Sequence, residues 1–211
     1  MSLRFLFAAA VALLLGGCTG WAAESRLIPV AKREAAGLMG TYTSEDDRAA
    51  FAPGENGFVR VIDPTGAHPG VDLAFAFLRE EAAAPSPVAE ATVEESGEPD
   101  GNLPDRSYLM EIPWTSDDGK IGYVYGIVRI AFSSDGTADT LTQFTVVCSK
   151  AAEKLAARKE FDQCIFDDYA RLRAAAFDAL SWHDVARMAV VETTFSRADL
   201  ARSEATPISE P

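Results

Sequence analysis

Three cysteines and two histidines are the side chains of this sequence best suited to act as nucleophiles, redox groups or metal ligands. The histidines, His68 and His183, lie far apart, and neither stands in a motif that supports a serine triad. The sequence contains no Gly-x-Ser-x-Gly motif, no phosphate-binding glycine loop and no Cys-x-x-Cys pair. We therefore expect no catalytic residue, no metal site and no cofactor. A hydrolase that uses two carboxylates brought together by folding stays open as an alternative.

The N-terminal segment has the parts of an export signal in the expected order. Arg4 supplies a positive start, residues 5–15 are an unbroken apolar run, and two glycines precede Cys18. The run is too short to span a bilayer, which needs about 20 residues, but its length suits the apolar region of a secretory signal peptide. The end of the segment, Leu15-Gly16-Gly17-Cys18, resembles the lipobox of bacterial lipoproteins.

This resemblance implies that residues 1–17 form a cleaved signal peptide and that Cys18 becomes an acylated N-terminus with a diacylglycerol on its sulfur. One acyl chain is a marginal anchor, whereas two or three hold a protein firmly. By the same resemblance, Thr19 in place of an aspartate allows transport to the outer membrane. We expect a protein of the bacterial cell envelope, bound to the membrane through covalent lipid on Cys18. An ordinary signal peptide with an incidental Cys18 is the alternative.

The acidic composition restricts the partners. A net charge of −13 does not attract nucleic acid or anionic lipid. We therefore expect a protein partner or a small apolar ligand and no nucleic acid. Residues 80–106 carry eight acidic residues and one basic residue, are rich in proline and contain no aromatic residue. Such a segment buries little apolar surface, so we predict a mobile acidic insertion.

Cys148 and Cys164 remain as an even pair once Cys18 is assigned to lipid. In an oxidising compartment an even pair predicts a disulfide bond. A continuous helix between them would hold them about 24 Å apart, whereas the Cα atoms of a disulfide lie roughly 4.4–6.8 Å apart. The helix predicted around them must then break, most simply at residues 159–162, with Asp162 capping a second helix. Two buried free cysteines are the alternative.

Alternating apolar residues predict about six strands before Cys148. Most are separated by short turns rich in Gly, Pro and Asp, which indicates an antiparallel meander. Their apolar faces must be covered by curling into a barrel or by the helices that follow. The predicted strands are residues 40–43, 58–62, 71–78, 107–114, 121–132 and 140–148.

The C-terminal third is predicted to be mainly helical. Residues 149–180 contain no Gly and no Pro. Ser181, with Asp184 three residues later, resembles a capping arrangement that would start another helix at Trp182. Residues 188–195 favour a last strand. The apolar residues of the predicted helix recur at spacings of three and four and should form one stripe on the sheet: Phe161, Ile165, Tyr169, Leu172, Ala176 and Leu180.

The predicted fold class is α+β: a curled antiparallel sheet or partly open barrel packed by C-terminal helices, with one further strand. Residues 18–37 are predicted as a lipid-anchored tether with a short helix at 31–38. Residues 38–199 are predicted as one domain, and residues 200–211 as a disordered tail.

The function favoured by the sequence is a non-enzymatic scaffold or interaction module of the cell envelope. The alternative is a binder of a small apolar ligand, and an envelope hydrolase is third. Gly40-Thr41-Tyr42 before a meander, with a helix and a strand after it, resembles lipocalin topology, although Tyr42 stands where a lipocalin carries Trp and the predicted strands are too few. The aromatic residues available to line a cavity are Phe75, Phe77, Tyr108, Trp114, Tyr123 and Tyr125; the small ones are Ala74, Ala76, Gly122 and Gly126.

Overall fold

A computed structural model of the protein describes residues 20–44, 48–62, 70–80, 103–116, 118–144, 146–186 and 192–198, with the backbone alone at 182–186 and 192. The strands are β1 (Gly20–Ala23), β2 (Gly40–Thr43), β3 (Arg48–Pro53), β4 (Phe58–Ile62), β5 (Val71–Glu80), β6 (Leu103–Thr115), β7 (Ile121–Phe132), β8 (Ala138–Phe144), β9 (Arg158–Glu160), β10 (Gln163–Ile165) and β11 (Glu192–Arg197). The helices are α1 (Lys150–Leu155) and α2 (Tyr169–Ala186). Neither helix is long and apolar enough to cross a membrane.

Eight strands close into an antiparallel barrel. They follow one another around it in the order β2-β3-β4-β5-β6-β7-β8-β11, and β11 returns to pair with β2. Closure removes the unpaired backbone edges of an open sheet. The predicted antiparallel meander is therefore confirmed, and its curled form is a closed barrel. The class is mainly β rather than α+β, because most of the described chain is strand and its α-helices are α1 and α2.

The central strands are buried on both faces, which divides the core into two parts. In β5, Leu73 and Phe75 point into the barrel, whereas Ala74, Ala76 and Leu78 point outward. Aliphatic and aromatic side chains from the other barrel strands join the inner set. The buried inner residues also include Tyr42, Val59, Tyr108, Met110, Ile112, Val128, Ile130, Phe132, Leu141 and Phe195.

The outer part of the core lies between the barrel and helix α2. Leu172, Ala176 and Leu180 of α2 belong to the same buried cluster as Ala74 and Ala76 of β5. Small side chains on both surfaces allow the helix backbone to approach the sheet closely. Ala74 and Ala76 are among the small residues that would permit a cavity, but strand alternation turns both to the outer surface of the barrel, so neither enlarges the space inside it.

The predicted helix over residues 149–180 is interrupted by a β-hairpin. Helix α1 ends at Leu155, β9 and β10 follow, and α2 begins at Tyr169. The amide of Arg171 donates to Asp168 Oδ1 at 2.9 Å, so Asp168 rather than Asp162 caps the second helix. The predicted disulfide is confirmed, with the Cα atoms of Cys148 and Cys164 5.1 Å apart.

Pairing with the N-terminal segment explains the interruption. Strand β10 runs parallel to β1, with Cys164 opposite Trp21, and this pairing overrides the helical propensity of the segment. The predicted apolar stripe is therefore only partly realised. Its last four members lie on α2, but Ile165 lies in β10 and Phe161 at the hairpin tip, where it is 98% exposed.

Residues 20–37 differ from the predicted tether. Trp21 and Ile28 are buried, and β1 pairs with residues 123–125 of β7, next to the stretch 127–132 that pairs with β8. A single 3-10 turn at Val30–Lys32 replaces the helix expected at 31–38. The sequence shows no alternating pattern here because β1 has only four residues. Its position depends on partners about 100 residues away.

Three further boundaries also differ. Strand β3 was not predicted, since alanines fill half of its six positions. Ser181 Oγ donates to the Phe177 carbonyl at 2.9 Å, four residues back, and α2 continues past it rather than a new helix starting at Trp182. The last strand is β11, which begins later than the predicted 188–195.

Several predicted segments lie outside the described residues. These are residues 1–17, Cys18, His68, the tail 200–211 and most of the insertion 80–106. Strand β5 reaches Glu80 and β6 begins at Leu103, so both ends of the predicted insertion belong to strands.

Reduction of the Cys148–Cys164 bridge should lower the free energy of unfolding by about 3 kcal/mol, because it frees a loop of 16 residues in the unfolded chain. Chemical denaturation with and without reductant measures this. The double variant Cys148→Ala/Cys164→Ala is the control and should not respond to reductant. Equal stabilities for the oxidised and reduced wild type would contradict the prediction.

Candidate functional site

Glu111 is the fully buried charged residue of the described chain, with 0% of its surface exposed. It lies in the middle of β6, opposite Ala74 of β5 and Tyr125 of β7. Strand alternation directs Met110 and Ile112 into the barrel and Glu111 to its outer surface. The N-terminal segment covers that surface, so the carboxylate is enclosed between the barrel wall and residues 25–28.

Both oxygens of this carboxylate accept hydrogen bonds. Arg26 Nη1 donates to Oε1 at 2.9 Å, and the Tyr125 hydroxyl donates to Oε2 at 3.0 Å. The backbone amides of Leu27 and Ile28 donate to Oε2 at 2.9 and 3.2 Å. A buried charge is tolerated only when it is paired and hydrogen-bonded in this way. Glu111 therefore holds the N-terminal segment against the barrel.

The Tyr125 hydroxyl is held in its neutral, donating form. Burial, and next the negative charge of Glu111, raise the pKa of Tyr125 well above its ordinary value of about 10. Its oxygen also lies 3.1 Å from the amide nitrogen of Leu27, so the tyrosine links β7 to the covering segment.

Two guanidinium groups extend this attachment across β4. The Arg26 guanidinium lies 4.5 Å from the ring centre of Phe58 and 5.0 Å from that of Tyr123. The Arg33 guanidinium lies 4.1 Å from the Phe58 ring, and its Nε donates to the Ile28 carbonyl at 3.2 Å. Such contacts contribute about 0.5–1 kcal/mol each where they are partly exposed. They fix the direction in which the segment crosses the barrel.

This arrangement is suited to structure rather than to proton transfer. A general base must reach the proton that it removes from a substrate. Both oxygens of Glu111 accept hydrogen bonds from the protein's own groups and have no exposed surface. The negative charge is neutralised by Arg26, whose side chain is 28% exposed.

The barrel interior contains a small apolar cavity. Its volume is about 50 Å³, whereas sites for drug-sized ligands measure roughly 300–1,000 Å³. Aromatic rings pack edge to face around it: the Tyr42 and Phe51 centres are 5.4 Å apart, and those of Phe75 and Tyr108 are 6.5 Å apart. The lining includes Ala49, Phe51, Leu73, Met110, Leu141 and Phe195.

A larger groove lies on the surface, between α2 and the turn at Val30–Lys32. Its volume is about 640 Å³, and its walls include Glu34, Phe77, Tyr169 and Arg173. Burial raises the pKa of Tyr169, against the opposing effect of the Arg173 charge. The groove mixes apolar and charged groups.

The predicted aromatic lining divides among three environments. Phe75 and Tyr108 are buried in the barrel, together with the half-buried Phe77. Tyr123 and Tyr125 lie outside it, under the N-terminal segment. Trp114 is 42% exposed at the β6–β7 hairpin, where a Cβ at Gly122 would collide with its indole.

The remaining candidates are only partly described. The backbone of His183 lies in α2, whereas its side chain and His68 lie outside the described residues. Within the described residues, no group of three or more His, Cys, Asp or Glu side chains is placed to hold a metal ion. Sequence reasoning missed Glu111. Its signal was a single carboxylate between the apolar residues Met110 and Ile112, in a strand without other acidic residues after Asp105.

Comparisons of the chain with protein-family models, with curated proteins and with solved structures find no match. Function must therefore be inferred from this chain's own residues and their geometry.

Replacing Glu111 with Gln should lower the free energy of unfolding by about 3 kcal/mol, the cost of breaking a buried pair. The introduced side chain would place an amide NH₂ group, itself a donor, against the groups that now donate to the carboxylate, and Arg26 would lose its charged partner. Hydrogen exchange should accelerate most in residues 20–28. The control is Glu80→Gln, which removes an exposed ion pair with Arg106 at 3.5 Å and should cost less than about 1 kcal/mol. Equal effects of the two variants would contradict this role.

Stability should fall as the pH rises above about 10. Because the pKa of Tyr125 is raised in the folded protein, the unfolded chain loses the hydroxyl proton of Tyr125 at a lower pH than the folded protein does. The contribution of Tyr125 to the free energy of unfolding is therefore complete below pH 10 and is lost above it. Tyr125→Phe should flatten the decrease in Tm between pH 10 and the pH of alkaline unfolding. Burial also raises the pKa of Tyr42 and Tyr108, so some slope should remain. Identical slopes for variant and wild type would refute the prediction.

Proposed function

We propose that this protein is a lipid-anchored component of the bacterial cell envelope and that its barrel is a non-enzymatic scaffold that contacts other proteins. The filled barrel interior carries this proposal. Aromatic and aliphatic side chains leave a cavity of about 50 Å³. The buried carboxylate binds the protein's own N-terminal segment. Both features favour a rigid body over a ligand cup or a reaction site.

The membrane anchor is supported by the sequence Leu15-Gly16-Gly17-Cys18, which resembles a lipobox. The proposal includes acylation of Cys18 and, because of Thr19, transport to the outer membrane. The net charge of −13 supports a partner with a basic surface and disfavours nucleic acid. The groove beside α2, which includes both Glu34 and Arg173, is a suitable contact surface on the described part of the chain.

Binding of a small apolar ligand is the second candidate. The closed barrel and its mainly apolar cavity favour it, but a ligand of ordinary size would have to displace side chains such as Phe51 or Met110. An envelope hydrolase that uses carboxylates is the third candidate and would require Glu111 to be released from its four donors.

Mass spectrometry of the protein extracted from its own membrane tests the proposal. We expect a covalent acyl mass on Cys18 under denaturing conditions and no additional apolar mass under native conditions. Cys18→Ser is the control and should lose both the acyl mass and the membrane association. An unmodified Cys18 in the wild type would overturn the anchor. An apolar molecule released only on denaturation would favour the ligand binder.

A variant that fills the barrel cavity gives a second test that distinguishes the scaffold function from the ligand-binding function. Ala49→Val adds two methyl groups beside the cavity and introduces a β-branched residue, which strands favour. A scaffold should keep its partners and gain up to about 1 kcal/mol of stability, the cost of a cavity of this size. A binder should lose its native-state ligand mass. The measurements are thermal unfolding and native mass spectrometry of the same samples.

A further inference from the structure

We propose that the β9–β10 hairpin, with Phe161 at its tip, contacts the bilayer and seats the barrel on the membrane beside the lipid anchor. This inference rests on the acylation of Cys18 proposed above. It adds a second, non-covalent contact and therefore a defined orientation of the barrel on the membrane.

Only a short stretch of chain separates the proposed anchor at Cys18 from strand β1, which is fixed to the rest of the protein. Trp21 is 2% exposed, and its indole N–H donates to the Val147 carbonyl at 3.1 Å. Strand β1, which begins at Gly20, is paired on both sides, with β7 and with β10. Cys18 precedes Gly20 by two residues, which span at most about 7 Å when extended. An acylated Cys18 therefore brings lipid headgroups next to this end of β1.

The register of β10 places the hairpin tip at the same end. Strands β1 and β10 are parallel, with Gly20 opposite Gln163. Residues that precede Gln163 thus lie beyond Gly20, in the direction of Cys18. Phe161 is two residues before Gln163, as Cys18 is two residues before Gly20. The disulfide ties Cys164 of the hairpin to Cys148, in the segment that follows β8, and so restrains the hairpin.

Phe161 has features that the fold does not require. Its side chain is 98% exposed, and its backbone φ is +51°. Bulky side chains are rare at positive φ, and hairpin turns favour Gly or Asn at such positions. The protein thus carries an unfavourable backbone conformation and a large apolar surface in water at the same residue. Insertion of the ring into the bilayer interface would recover apolar burial, as it does for Phe in interfacial segments.

The surroundings of the tip suit a lipid surface better than the rest of the chain does. Val147, beside Trp21, is 55% exposed. Glu160 and Asp162 flank Phe161 directly, but residues 147–165 as a whole carry four basic and three acidic residues, a net charge of +1, in a chain of net charge −13. The hairpin region is therefore less strongly repelled by anionic headgroups than a surface with the average charge of the chain.

A second exposed apolar tip provides a matched control. Ile121, at the β6–β7 hairpin, is 60% exposed. The pairing of Ala23 with Tyr123 places this hairpin at the opposite end of β1. The two tips are separated by about seven residues along the strand direction, or roughly 23 Å at 3.3 Å per residue. A membrane at the anchor end should reach Phe161 and leave Ile121 in water.

Tryptophan fluorescence in brominated vesicles tests the orientation. Full-length Phe161→Trp and Ile121→Trp are extracted from membranes, checked for the acyl mass, and reconstituted in phosphatidylethanolamine–phosphatidylglycerol vesicles with brominated acyl chains. The wild type supplies the background of the three native tryptophans. We expect a blue shift and a loss of fluorescence for Phe161→Trp and neither change for Ile121→Trp.

The outcomes separate this inference from the proposal on which it rests. Absence of the acyl mass overturns the anchor and the inference together. An acylated Phe161→Trp protein that is not quenched overturns the inference and leaves the anchor intact. If the Ile121→Trp protein is quenched instead, the opposite end of the barrel faces the membrane, which also overturns the inference. If the wild type forms dimers in sedimentation experiments and Phe161→Asn dissociates them, the tip contacts a second copy of the chain. That result would overturn the inference.

Phe161→Asn gives an independent readout. Asn tolerates positive φ, so this variant should unfold at the same temperature as the wild type or at a higher one, by a few degrees at most. Its hairpin should lose the protection from hydrogen exchange that vesicles confer on the acylated wild type. A lower Tm would show that the ring supports the fold, and unchanged protection would show that it does not contact lipid.

Discussion

The buried carboxylate of Glu111 is the interaction on which the rest of the structure depends. It replaces the water that would otherwise solvate the amides of Leu27 and Ile28, and it turns the N-terminal segment onto the outside of the barrel. Arg26 balances its charge, and Tyr125 completes its hydrogen bonds. Removal of the carboxylate would leave the buried amide of Ile28 without its acceptor, which costs more than the bond itself contributes. Glu111 is therefore the shared acceptor that holds these donors together.

The attachment made by Glu111 organises the layer outside the barrel. Once residues 25–28 are held, β1 lies beside β7 and offers a free edge, with which β10 pairs. That pairing divides the helical region into α1 and α2, and the disulfide fixes the division. Helix α2 then covers the outward alanines of β5. The result is a barrel whose central strands are buried on both faces, which explains their nearly continuous apolar sequences.

The same contacts connect the fold with the proposed function. A barrel filled by its own side chains is a rigid body with a defined outer surface, as an interaction module requires. Its N-terminal strand is part of that body. A lipid on Cys18 would therefore hold the barrel close to the membrane rather than at the end of a flexible linker. The β9–β10 hairpin, which pairs with the edge of β1, would then be the element nearest the bilayer under the inference made above. An exposed Phe161 at a strained backbone position is consistent with that location.

The sequence alone determined the elements with a local physical signal. Alternation in β5 and β6 identified these strands and the residues that share a face, residues 121–132 were identified as a strand, and the turns between them predicted a meander. The even pair Cys148 and Cys164 predicted the disulfide. These inferences succeed because side-chain periodicity and cysteine pairing do not depend on distant partners.

Only the tertiary structure decided the features that depend on partners distant in the chain. The sequence could not show that residues 20–23 add a strand, that residues 158–165 form a hairpin within a helical composition, or that Ala74 and Ala76 face a helix. Nor could it select Glu111 among 32 acidic residues. Local propensities amount to a few tenths of a kcal/mol per residue. Strand pairing, burial on a second face and a saturated buried charge outweigh them, and each arises only when segments about 100 residues apart meet.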